Sequence, residues 1–118
     1  MTNHPDPTVV TLPAEIDVYN RNQAYERLCA ACASGASVII ADFAGTRFCD
    51  HEAMRRLLTV AERAAASAAQ LRFAIPPGHP VRRLADLLDP EHRVPVYASP
   101  GEAAAVTPVP RSSLPHRA

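Results

Sequence analysis

The sequence predicts an α/β fold, a mainly parallel sheet of four to five strands with about four helices packed against it. Three observations carry this. Short β-rich runs alternate with amphipathic helical patterns, the central run Val38-Ile39-Ile40 is β-branched and too short to bury a helix, and Pro, Gly or Asp marks most junctions. Strands that alternate with helices in this way become parallel neighbours through helical crossovers.

Pro5 and Pro7 make residues 1–7 a poor start for regular structure, so a flexible N-terminus is expected there and one folded domain over 8–106. Thr8 to Leu12 is a β-rich run stopped by Pro13, the first strand. Ala14-Glu15-Ile16-Asp17-Val18 alternates polar with apolar, as a half-buried second strand does, and its end sets Asp17 against a loop. From Arg21 to Ser34, Tyr25, Leu28, Cys29 and Cys32 recur as i, i+3, i+4 and i+7 before Gly35, which predicts a first helix with those four on its apolar face.

Val38 to Ile40 then forms the central strand, ending at Asp42. Past a short turn, Asp50 is placed to N-cap a second helix, and Glu52 adds negative charge at the positive end of its dipole, about 0.3–1 kcal/mol per exposed group. Met54, Leu57, Leu58, Ala61, Ala65 and Ala68 define one face of that helix, with Arg55, Arg56, Glu62 and Arg63 elsewhere. Leu71, Phe73 and Ile75 alternate with Arg72 and Ala74 in a third core strand, broken by Pro76-Pro77-Gly78.

Pro80 suits the first turn of a helix carrying Val81, Leu84, Ala85, Leu87 and Leu88, ended by Asp89-Pro90. Val94, Val96 and Tyr97 make a last short strand, which Pro95 confines to an edge. Ser99 as N-cap, Pro100 at the first helical position and Glu102 at the third open a final helix. Residues 107–118 hold three prolines and few core residues, so a disordered tail is expected.

A chain of 118 residues can bury a core without metal or disulfide staples. Twelve basic residues, all arginine, balance twelve acidic ones, which removes a net pull toward nucleic acid or anionic membrane. No apolar run approaches the roughly 20 residues of a membrane span, and no leader pattern opens the chain, so a cytoplasmic protein with no membrane insertion is expected. The three cysteines lack framework spacing, and Cys29-x-x-Cys32 lies on an apolar helix face, where small core residues are the simpler account. Cys49, Asp50 and His51 are adjacent in sequence and converge poorly on a metal, while His79 and His92 have no paired spacing; no metal or cofactor is expected. No nucleophile stands beside a base at a recognisable spacing, so no enzyme is expected.

With these elements in place, the chain resembles the STAS domain, the family of anti-sigma factor antagonists and of cytoplasmic domains of sulfate transporters. Leu12-Pro13-Ala14-Glu15-Ile16-Asp17 stands for the family's L-x-G-E-[IL]-D, Val38 to Phe43 for its central strand, and Phe48-Cys49-Asp50-His51-Glu52-Ala53-Met54 for F-x-D-S-[ST]-G-L. The likeness spans about Val9 to Ala105; Ala14 and Ala53 replace two glycines.

The resemblance implies a non-enzymatic, protein-binding bacterial regulator whose partner is an anti-sigma factor of the GHKL serine-kinase type, controlling sigma-factor availability. It implies a contact made by Asp17, Phe48, Asp50, His51, Glu52, Arg55, Arg56 and Thr59, flanked by Tyr19 and Asn20. A weak homodimer is the self-association it allows. In regulatory members the residue after the motif's aspartate is a phosphorylated serine or threonine; here that phospho-acceptor position is His51, followed by Glu52. The chain is therefore expected to be an antagonist that phosphorylation cannot switch off, or one that behaves as if always partly phosphorylated. The alternative is a STAS sensor or accessory module for a nucleotide, lipid or anion, or for a transporter complex, marked by an apolar cavity near Asp17 and Asp50.

Overall fold

The computed structural model describes residues 6–107; the segments expected to be flexible at 1–7 and disordered at 107–118 fall almost wholly outside them. In chain order the elements are β1 (Thr8–Thr11), β2 (Glu15–Ile16), α1 (Arg21–Cys32), β3 (Val38–Asp42), β4 (Phe48–Cys49), α2 (His51–Leu58), α3 (Val60–Ala66), β5 (Gln70–Ala74), α4 (Pro80–Leu88), β6 (Val96–Tyr97) and α5 (Pro100–Ala105).

The main sheet has the order β1-β3-β5-β6, every pair parallel, with Val9 opposite Ile40 and Ala41 opposite Phe73. Each crossover steps the same way across the sheet, so crossovers of one hand put their helices on one face. There Val10, Ile39, Ala41, Leu71 and Phe73 pack with Leu28, Met54, Leu57, Val60 and Val81. The Phe43 and Phe73 rings meet edge to face with centroids 4.9 Å apart. On the other face α5 covers a smaller cluster of Val38, Ile40, Ala74 and Ala103, with Tyr97 against it. Burial on both faces explains why β3 reads as an unbroken apolar run.

Several expectations are corrected. The second strand is only two residues long, lies outside the main sheet and pairs in parallel with β4, a segment where the sequence predicts a turn. Two-residue strands are too short for alternation to be legible.

The second helix is interrupted at Thr59, whose hydroxyl donates to the Arg56 carbonyl at 2.6 Å, a local bond that competes with the helical ladder. Its buried stripe is Ala53, Met54, Leu57, Val60 and Ala64, with Leu58 and Ala61 at the margin and Ala65 and Ala68 exposed. Ala68 lies beyond the helix in the left-handed region at φ 57°. In this alanine-rich segment side-chain size does not distinguish the faces.

The same ambiguity shifts α1: Ala24, Leu28, Ala31 and Cys32 are buried, while Tyr25 and Cys29 are half-buried at the edge. On α4, Leu87 is exposed and Val81 and Ala85 carry the burial. The Ser99 cap of α5 is as expected: its hydroxyl accepts from the Glu102 N–H at 3.1 Å, and Glu102 accepts from the Ala98 N–H at 3.2 Å.

Candidate functional site

The β2/β4 ladder builds the candidate site. Glu15 lies opposite Phe48 and Ile16 opposite Cys49, and the Asp50 N–H extends the ladder to the Ile16 carbonyl at 3.0 Å. Both strands therefore end side by side, which brings the turn after Asp17 next to the start of α2. Thr46 fixes the approach: it is fully buried, and its hydroxyl donates to the Pro13 carbonyl at 2.9 Å.

The turn after β2 is held by its own polar side chains. Asp17 Oδ1 accepts from the Tyr19 N–H at 3.0 Å, Asn20 Oδ1 accepts from the Asp17 N–H at 2.9 Å, and the Asn20 amide donates to the Glu15 carbonyl at 2.7 Å. Asp17 is thus occupied in shaping the turn. The turn leaves Val18 58% and Tyr19 94% exposed, and Phe48 on the adjoining strand is 53% exposed. Three large apolar side chains left in water on two adjoining segments favour a covering partner.

At the neighbouring helix start, Asp50 Oδ1 accepts from the Ala53 N–H at 2.6 Å, the expected N-cap. His51 and Glu52 both face solvent. The Glu52 carboxylate lies 3.6 Å from Arg55 Nε, one turn along the helix. Beneath them burial pushes the Cys49 thiol from 9.0 up to about 12, with the Asp50 charge adding to the rise. Cys32 is raised too, first by burial and then by neighbouring Cys29. Both thiols are poor nucleophiles at neutral pH.

Arg55, Arg56 and Thr59 lie further along, where they line an open groove of about 460 Å³ with Glu52 and with Arg21 and Asn22 from the first turn of α1. The Arg56 guanidinium sits over the Tyr25 ring, 4.5 Å from its centroid. The sequence reading missed Arg21, Asn22 and the role of Tyr25, because the groove exists only where α1 lies beside α2. A smaller hollow, about 300 Å³, is lined by Pro13, Asn20, Gln23, Ala24 and Arg27. Neither hollow is lined by Asp17 or Asp50. Among the described residues, no three His, Cys, Asp or Glu side chains come together to hold a metal, and no helix is long and apolar enough to cross a membrane.

A family model described as the STAS domain matches residues 1–103. No curated protein matches the chain. Among solved structures, that of the anti-sigma factor antagonist SpoIIAA in its unphosphorylated form is similar, with a TM-score of 0.64 and 22% sequence identity, covering 87% of this chain and 88% of that one.

Proposed function

The chain belongs to the STAS domain family, and on that premise we propose that it is a non-enzymatic regulator of the anti-sigma factor antagonist kind. Its partner is an anti-sigma factor of the GHKL serine-kinase type in the bacterial cytoplasm, and its contact is the end of the β2/β4 ladder with the first turns of α2. The observation that supports this most is the pairing of the apolar tip, Val18, Tyr19 and Phe48, with the capped, solvent-facing start of that helix. Asp17 and Asp50 shape the two halves of the surface, while Phe48, His51 and the arginines of α2 meet the partner.

Of the two regulatory versions, the one that phosphorylation cannot switch off is favoured. No serine, threonine or tyrosine occurs from Arg47 to Leu58, so the helix start offers no hydroxyl to a kinase. The Glu52 carboxylate is turned to Arg55, which offsets its charge locally instead of presenting it as a phosphate would be presented.

The test is binding to the anti-sigma factors encoded in the same genome, with ATP present. One of them is expected to bind the parent chain, to bind Phe48→Ala and Tyr19→Ala at least tenfold more weakly at unchanged melting temperature, and to transfer no phosphate to residues 47–58. Phosphate found there, or equal affinity of both variants, overturns the reading.

A further inference from the structure

The groove between α1 and α2 carries a charge pattern that its fold does not require. Three arginines, Arg21, Arg55 and Arg56, line it with Thr59 and Asn22, against a single carboxylate residue, Glu52. A carboxylate beside an exposed arginine partly offsets its charge. Among the described residues, Arg55 has such a neighbour in Glu52 at 3.6 Å, whereas Arg21 and Arg56 have no carboxylate within ion-pair distance. Arg56 is held instead by the face of Tyr25, which fixes the guanidinium plane and leaves its N–H donors unspent on any acid.

The groove also adjoins the proposed contact along both chain segments. Arg21 follows Tyr19 and Asn20 at the end of the exposed tip, and Glu52 follows Asp50 and His51. A partner seated on Phe48 and Tyr19 would therefore extend directly over the arginines.

We propose that this groove is a docking cleft for a carboxylate-rich segment of the protein partner, one that presents two or more Asp or Glu side chains to Arg21, Arg55 and Arg56. The inference rests on the reading of the chain as a protein-binding regulator and names the chemistry of what it binds. Several spaced carboxylates fit better than one compact phosphate. At the start of α2, where free N–H groups would cradle a phosphate, the Ala53 N–H is already taken by Asp50 Oδ1, and the Asp50 and Glu52 charges at that end repel a dianion. The groove is lined by three separate guanidinium groups, and each can take its own carboxylate side by side. Glu52 acts as an internal competitor: an incoming carboxylate displaces it from Arg55.

The test uses the full chain and fluorescein-labelled hexaglutamate as the probe, followed by fluorescence anisotropy at fixed ionic strength. Hexaglutamate is expected to bind the parent chain, to bind Arg21→Gln/Arg56→Gln at least tenfold more weakly, to bind Glu52→Gln two- to threefold more tightly, and to ignore Phe48→Ala. In the parent chain itself, whatever the stability of the variants, the side-chain Nε–H resonances of Arg21 and Arg56 should shift as the peptide is added. Absence of binding, unchanged resonances, or displacement of the peptide by inorganic phosphate at lower concentration than by succinate would overturn the proposal. An anti-sigma factor that binds Arg21→Gln/Arg56→Gln as well as the parent removes the groove and leaves the function. Hexaglutamate binding to a chain that captures no anti-sigma factor removes the function and leaves the groove.

Discussion

The buried guanidinium of Arg72 donates through Nη1 to the Ala103 carbonyl at 2.6 Å, and through the same nitrogen to the Val106 carbonyl at 2.7 Å. Its Nε donates to Gln70 Oε1 at 2.8 Å, and its Cζ lies over the Tyr97 ring, 5.8 Å from the centroid. A strand residue thus serves as the C-terminal cap of α5, placing a positive charge against carbonyls that carry the negative end of the helix dipole. Only 1% exposed, Arg72 ties α5 to the sheet face that this helix covers.

Replacing Arg72 with methionine keeps much of the side-chain length but strands those carbonyls, and is expected to cost about 2–4 kcal/mol. The loss should be local first. Hydrogen exchange of residues 98–106 should accelerate more than that of β3, and uniform protection would show that α5 does not depend on Arg72.

Ala68 lies at φ 57° just past α3, where the Ala69 N–H bonds the Ala64 carbonyl at 2.8 Å and the Ala68 N–H bonds the Ala65 carbonyl at 3.0 Å. This is the Schellman arrangement, with alanine at the position that favours glycine. Ala68→Gly should raise stability in urea unfolding by about 0.5–1 kcal/mol, the relief of left-handed strain less the added flexibility of the unfolded chain.

Asp50 caps α2 through the Ala53 N–H, so Asp50→Ala should lower stability by about 1 kcal/mol, while Asp50→Asn should retain most of it. Equal losses for both variants would show that the carboxylate charge, and not the capping bond, is what matters.

Cys49 should make stability fall in alkali. Its thiol ionises around 9.0 when unfolded and only around 12 in the fold, so the folded state holds the proton longer. The contribution is complete below pH 9 and is lost as pH rises toward 12, by at most about 4 kcal/mol. Cys49→Ala should therefore show a flatter decline than the parent across this window, and the parent thiol should resist iodoacetamide at pH 8.

The sequence by itself determined what depends on near neighbours: the alternation of strands with helices, the Asp50 and Ser99 caps, Pro80 at the start of α4, and the edge position of β6. Each of these signals is decided within a few residues, by backbone preference or by one side chain reaching one free N–H. Tertiary structure decided the rest. The two-residue strands β2 and β4 hold together only through each other, 33 residues apart, and without that ladder Asp17 and Asp50 would be unrelated turns. Which face of an alanine-rich helix is buried, why Arg72 leaves water, and how Arg21 comes to stand beside Arg56 all follow from which element lies against which. That is settled by packing the whole core, and single residues along the chain do not encode it.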